Sequence, residues 1–436
     1  MTLSRLFSDY VTQYDPNALP VEAAQAIVRE WAMPRAGVEG KSRTERVNLF
    51  DALGRVLVED VISPIDVPAF DNSAMDGYAF SGAALEQSDD VDLTVTGTAL
   101  AGRPFAEQPR AGHCVRIMTG ALMPPGCDTV IPQELVTRNG DVIRFPSRAL
   151  RAGQNRRLSG EDLARGKPAL RAGHVVRASD LGLLASLGIA DVAVNKRLTV
   201  AFFSTGDELR SVGETLTPGS LYDSNRYTLF AMLERLGVET IDLGIVRDDR
   251  ASLEKALRET TEKADVVITS GGVSVGDADF TRELMNTLGD GVFWKIAMRP
   301  GCPLAFGRLW SGARTGTGES ALFFGLPGNP VAVMATFYFI VREALLAMSG
   351  ALHQPLVVIK ATCAAPMKKR AGRTEFQRGI ATRGADGRWS VVTTGPQGSG
   401  VLSSMSDANC FIVLEHTRGH TQAGDEVEIV PFDGLI

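Results

Sequence analysis

SerThrGlyAspGluLeu (204–209), SerGlyGlyValSerValGlyAspAlaAsp (270–279) and GlyLeuProGlyAsnPro (325–330) each follow a short strand-like run and precede a helical pattern. Open α/β sheets bind ligands outside the carboxyl ends of their strands, so three glycine-bearing loops of this kind in one region predict a cleft. Reading outward, strand patterns at 198–203, 238–243, 265–269 and 321–324 alternate with helical patterns at 225–236, 251–263, 281–288 and 331–348. Such alternation predicts a central doubly wound, mostly parallel α/β domain over 197–350. Ser224 stands as N-cap of the first of these helices with Gly237 beyond its end, and Asp249 as N-cap of the second.

On either side the pattern changes. Residues 1–50 read as helix, with Val21, Ala24, Ile27, Val28 and Trp31 at helical spacing and Pro34 ending the run. Together with 146–196, where a second apolar helix runs over 180–187, they predict a discontinuous helical domain. Between them, 51–145 shows short alternating strands such as 92–96 and 113–118 and reads as an inserted β-rich domain. After Pro355 no helical period returns, and 351–436 reads as a small C-terminal β-barrel or sandwich domain. The fold class is therefore multidomain α/β.

The chain has 436 residues, too many for one hydrophobic core, and its 45 basic against 51 acidic residues give a net charge of −6. That balance argues against binding nucleic acid by bulk charge. Cys114, Cys127, Cys302, Cys363 and Cys410 are scattered, which suits neither a disulfide framework nor a zinc site and points to a reducing, cytoplasmic setting. The N-terminus lacks the profile of a signal peptide, the most apolar run, 331–341, covers only about half a bilayer, and no membrane role is expected. The histidines have no metal-ligand spacing and there is no GxSxG elbow.

Ser270, Gly271, Gly272 and Gly276 make a loop whose backbone N–H groups suit a phosphate, with the positive end of the next helix behind them. A plain strand-to-helix turn is the alternative. The loop is not a P-loop, because Asp277 stands where the phosphate-gripping lysine belongs, and GxGxxG is absent. Asp277 and Asp279, with Glu208 and the Asp248-Asp249 pair, crowd carboxylates around an anion site, and a bridging Mg2+ resolves the repulsion. Glu208 and Asp279 are its expected ligands. Lys295 and Arg299 offer positive charge to an oxyanion, and Pro327, Gly328, Asn329 and Pro330 form a stiff loop that walls the site or is simply a turn.

PheAspAsnSerAlaMetAspGlyTyrAla (70–79) and ArgIleMetThrGlyAla (116–121) read on composition as an exposed loop and a strand end. With the three loops above, in this order and spacing, they closely resemble the molybdopterin molybdenumtransferases, bacterial counterparts of the gephyrin C-terminal domain. The resemblance covers nearly the whole chain. It implies a four-part, elongated homodimer, its C-terminal part a β-barrel, that takes adenylylated molybdopterin and molybdate, cleaves the pyrophosphate link in a divalent-cation-dependent step, places molybdenum on the dithiolene and releases AMP. By motif it implies that Asp71, Thr119, Glu208, Asp248 and Asp279 are catalytic and that Lys295, Pro327 and Pro330 belong to the ligand site, to which Arg299 is added by its charge and Ser399 as part of the 397–399 stretch. It also implies that Asp71 and Thr119 act on the partner subunit's α/β domain, and it allows contact with molybdopterin adenylyltransferase.

Two departures bear on molybdate. Relatives often carry LysProGlyLysPro where this chain has ArgProGlyCysPro (299–303), and Ser where Ala332 stands. Arg299 keeps its charge, Cys302 loses one, and Arg370, Arg373 and the 397–399 stretch are the candidates to compensate. The competing readings are the preceding adenylylation step, whose enzymes resemble the α/β domain alone, and a non-catalytic molybdopterin-binding scaffold.

Overall fold

The structure is a computed structural model that describes residues 18–32, 44–272, 278–310 and 320–433. Its centre is a seven-stranded sheet in the order Ala18–Leu19, Gly289–Ile296, Pro303–Trp310, Ser320–Leu326, Val266–Ser270, Thr199–Thr205, Glu239–Val246. The last four of these run parallel. Side chains alternate across a strand, so Val200 and Phe202 enter the core on one face while Ala201 and Phe203 enter the core on the other. Helices Arg250–Thr261 and Ala278–Leu288 cover the second face, and Asn225–Arg235 and the long helix from Pro330 cover the first. Both faces being covered explains why Val266–Ser270 is buried at every position.

The long helix spans Pro330–Met348 with a π-helical turn at Phe337–Val341. It exceeds the apolar run read from the sequence and is long and apolar enough to cross a membrane (mean hydropathy 1.7), but 78% of its most apolar stretch is buried inside the protein. It is the central core helix, shared between two units. Phe339 stacks on Phe376 of the C-terminal barrel at 3.8 Å between ring centroids and meets Phe411 edge-on.

Two readings are corrected. The helix Val21–Ala32 does not join a helical domain, because Ala24, Ile27 and Val28 pack into the α/β core and Ala18–Leu19 adds a strand to its sheet. Its apolar stripe identified a helix but not the surface that would receive it. The pattern expected to remain helical to residue 50 instead becomes strand at Thr44–Asn48, paired with Asp191–Asn195. The discontinuous unit is built from there, with Ala52, Leu57, Leu184 and Val194 in its core. Strand Pro303–Trp310 runs antiparallel to both neighbours, because the six-residue connection 297–302 is too short for a crossover.

The inserted unit is a six-stranded sheet in the order Thr129–Pro132, Gly77–Phe80, His113–Ile117, Asp90–Ala99, Val142–Pro146, Thr137–Asn139. In the C-terminal unit, strands Thr374–Arg383, Trp389–Thr393, Ile359–Cys363, Glu426–Pro431 and Cys410–Leu414 close on themselves through the pairing of the first with the last, giving a five-stranded barrel. Met298–Arg299 of the α/β unit pairs in parallel with Thr374–Glu375 at the seam.

Candidate active site

Register brings the three loops to one edge of the sheet. Ser204 lies opposite Ser270, Ser270 opposite Leu326, and Thr205 opposite Val246, so all four parallel strands end together. Gly271 N–H donates to Leu326 O at 3.1 Å. Gly271 has φ +93°, and a Cβ there would stand 2.2 Å from the Thr205 carbonyl oxygen, so this position requires glycine. The backbone of Gly328 passes close by: a Cβ on it would be 3.9 Å from the Gly271 Cα.

One side chain ties the loops together. Asn225 Nδ2 donates to Ser270 Oγ at 2.8 Å and to Gly328 O at 2.7 Å. Beside it the buried Asp223 accepts from Ser204 Oγ at 3.0 Å and from Arg226 N at 3.1 Å. Asp223, not Ser224, therefore caps this helix, since Ser224 has helical dihedrals and makes no side-chain cap. Asp223 Oδ2, Asn225 Oδ1 and Thr205 Oγ1 are buried here without a hydrogen-bond partner. Buried acceptors of this kind suit water or a ligand at the mouth. Sequence reading passed over Asp223 and Asn225 because AspSerAsn before a helix signals a cap; a rule that counts which cap residues also sit at a strand's carboxyl edge would have found them.

The carboxylates divide. Glu208 is exposed beside Gly206, at the mouth. Asp248 is half-buried where Glu239–Val246 ends. Asp249 is the cap of Arg250–Thr261, accepting from Ser252 N at 2.9 Å and Ser252 Oγ at 2.7 Å. The Ser252 backbone bond chiefly, then its hydroxyl, hold Asp249 below the usual aspartate range. Gly276 and Asp277 lie outside the described residues, as does the side chain of Asp279 at the start of helix Ala278–Leu288. Among the described residues no three His, Cys, Asp or Glu side chains gather as a metal site.

Lys295 is exposed on strand Gly289–Ile296, opposite Pro303. Because Ala305 lies opposite Gly325, this strand ends at the same edge as the glycine loops. Arg299 follows it, half-exposed, at the barrel seam. Ser399 O accepts from Val331 N at 3.0 Å, which places the 397–399 stretch over the first turn of the helix that opens at Pro330. Ala332 is buried in that turn.

In the insert, the two remaining motifs fold onto each other. Tyr78 lies opposite Arg116, and Gly77 opposite Ile117. Asp76 accepts from Thr119 N and Thr119 Oγ1, each at 2.7 Å. Asp71 accepts from Ser159 N at 2.8 Å and faces Arg156 at 3.8 Å. The exposed loop read from composition is corrected in part: Asn72 and Ser73 are buried, paired with Arg156–Arg157, and Ser73 Oγ donates to Met75 O at 2.6 Å. The Ser73 hydroxyl thus has a partner and Asn72 Nδ2 donates to Phe70 O at 3.4 Å, while Asn72 Oδ1 is buried without one.

Asp76 is held below the ordinary aspartate range, first by the Thr119 N–H and then by its hydroxyl. A lowered folded-state value means that this grip is complete above about pH 4 and lost as pH falls through the lowered value. Amide hydrogen exchange at Thr119 should accordingly stay slow to below pH 4 and quicken only under stronger acid.

Comparison with known proteins agrees along the chain. The family described as MoeA N-terminal region (domain I and II) matches 19–188, the probable molybdopterin binding domain matches 201–347, and the MoeA C-terminal region (domain IV) matches 360–432. A molybdopterin molybdenumtransferase of Haemophilus influenzae is 45% identical over 396 residues, covering 91% of this chain and 95% of that protein. One from Staphylococcus aureus is 33% identical over 424 residues, covering 95% and 96%. The crystal structure of the molybdopterin biosynthesis MoeA protein of Pyrococcus horikoshii superposes with TM-score 0.77 at 29% identity, covering 95% of this chain and 100% of that one. With the motifs, the four units and relatives of full length in agreement, the chain belongs to the molybdopterin molybdenumtransferase family.

Proposed function

We propose that this chain inserts molybdenum from molybdate into adenylylated molybdopterin and releases AMP. The observation that carries the reading is the convergence of three glycine loops at one sheet edge, bound together by Asn225. Gly271 and Gly272, without side chains, let a phosphate-bearing ligand approach the backbone closely, and Ser270 and Gly328 shape the wall beside them. Lys295 and Arg299 bring positive charge to the same edge for the molybdate oxyanion. Asp248 is placed to orient water against the phosphoanhydride, whose cleavage yields AMP and frees the molybdopterin phosphate.

Magnesium fits this donor set. Mg2+ keeps most of its waters and needs only one or two carboxylates plus phosphate. Glu208 and Asp279 would hold it, and when bound it would offset charge on the phosphate oxygens. Incubation with adenylylated molybdopterin, molybdate and Mg2+ should release AMP and lose that release with a chelator. Consumption of ATP with unmodified molybdopterin would instead mark an adenylyltransferase.

Asn225→Ala should lower AMP release about 10- to 100-fold, since two loop hydrogen bonds of ~1 kcal/mol or more are lost at once. Its melting temperature should move little, and unchanged turnover would show that the loops hold their positions without it.

The protein is further proposed to be a cytoplasmic homodimer in which Asp71 and Thr119 reach the partner's α/β unit. Their hydrogen bonds in this chain stay within the insert and the 156–159 segment. Exposed Phe70 and Met75 beside Asp71, and Tyr227 and Phe230 on helix Asn225–Arg235, supply apolar surface of the kind that subunit contacts cover. Mixed Asp71→Ala and Asp279→Ala subunits should then recover up to about a quarter of wild-type activity, the statistical share of sites left intact on random exchange. Exchange without recovery points to sites built within one chain. Unit limits near residues 146, 197 and 351 remain part of this proposal, with the limit near 51 moved beyond Leu57 and the N-terminal helix assigned to the α/β unit.

A further inference from the structure

Glu375 sits on barrel strand Thr374–Arg383 and is only 1% exposed. Arg373 donates to its Oε1 through Nε at 3.0 Å and pairs with it through Nη2 at 3.0 Å. Gln377 Nε2 donates to Oε2 at 3.1 Å, and Arg299 Nη1 stands 4.0 Å from that same oxygen. The buried guanidinium of Arg378 lies near enough to feel Arg299: burial first, and then Arg299, push it down to about 10. Two guanidinium groups, those of Arg373 and Arg299, thus meet one carboxylate. The cluster straddles the seam, where Thr374 N donates to Ala297 O at 2.8 Å and Arg299 lies in register with Glu375.

We propose that Glu375 is a positioning residue, through which the barrel sets the direction of the Arg299 guanidinium at the ligand-bearing edge. The inference rests on the reading above, in which Arg299 attracts molybdate. Arg299 is half-exposed on a long side chain. The Glu375 carboxylate is the attraction that keeps it near the seam instead of turned into solvent. Bulk electrostatics and positioning make opposite predictions here. Neutralising Glu375 makes the cluster more positive, so charge counting alone would tighten molybdate binding, whereas loss of a positioning group weakens it.

The test is the molybdate KM and kcat for AMP release in the full-length wild type, E375Q, R299A and the double variant. Gln keeps the shape of Glu375 and still accepts from Arg373. E375Q is expected to raise KM about 5- to 10-fold, the scale of one partly buried ion pair, with kcat within about twofold. R299A should raise KM at least as much, and the double variant should match R299A, since Glu375 acts through Arg299. E375D, which retracts the charge by one methylene, should fall between wild type and E375Q.

A KM for E375Q that is unchanged or lower overturns the positioning role, as do E375Q and R299A effects that multiply in the double variant. If E375Q does not fold, E375D decides in its place, and a wild-type KM there overturns the proposal. An unchanged KM in R299A would instead remove Arg299 from the molybdate reading and take the proposal with it. A KM raised in R299A but not in E375Q sinks the positioning role alone.

Discussion

Gly271→Ala should abolish molybdenum transfer while leaving most of the chain folded. The added Cβ would meet the Thr205 carbonyl oxygen at 2.2 Å, and that atom is main chain and cannot swing aside. The backbone is also at φ +93°, where an L side chain is strained in any case. Strain and overpacking together cost about 2 to 5 kcal/mol, enough to shift residue 271 and break its bond to Leu326 O. A displacement of about 1 Å in a site that works by orientation costs about 100-fold in rate, so AMP release should fall at least that far. Gly182→Ala is the control. Gly182 lies within helix Ala178–Ser186 with nothing within 4 Å of the new Cβ, so its thermal midpoint should hold or rise. Wild-type turnover in Gly271→Ala would take the glycine cradle out of the mechanism.

Arg378→Met should produce the second large effect, on stability and activity together. Arg378 is the largest fully buried side chain, donating through Nε to Ser404 Oγ at 2.9 Å and through Nη2 to Pro396 O at 3.2 Å and Gly398 O at 2.9 Å. Methionine replaces the aliphatic stem but makes none of the bonds, leaving buried acceptors unsatisfied at a cost of about 2 to 4 kcal/mol. The freed segment carries Ser399, whose carbonyl holds Val331 N over the Pro330 helix. AMP release should therefore drop about 10- to 100-fold with a lower melting temperature, since the site's orientation depends on that segment. Lysine should rescue poorly, because a point charge cannot reach the Ser404 hydroxyl and two carbonyls in the guanidinium geometry. A variant that melts early yet turns over normally would separate the barrel from the chemistry.

The two substitutions mark different degrees of legibility. Gly271 stood out in the sequence because SerGlyGly follows a β-branched run, and a tight strand-to-helix turn demands glycine from local geometry alone. Arg378 did not stand out, since its value depends on the loop 396–398 folding back over the barrel. The same division holds for the carboxylates. Asp249 was legible as a cap because its partner is three residues away, whereas Asp71 and Thr119 carried no signal of their own and entered through resemblance.

Local sequence by itself determined the alternation of strand, glycine loop and helix over 197–350, because hydrophobic period and turn chemistry act within a few residues. It also determined that the loops would share one edge, since parallel strands with helical crossovers must all end on the same side. Only the tertiary structure decided that Val21–Ala32 docks on the α/β sheet, that Asn225 fastens two loops together, and that Glu375 meets Arg299 across the barrel seam. Each of those joins residues far apart in the chain, and pairing at such separations is set by which surfaces remain to be buried once the local elements exist, a quantity no short stretch of sequence contains.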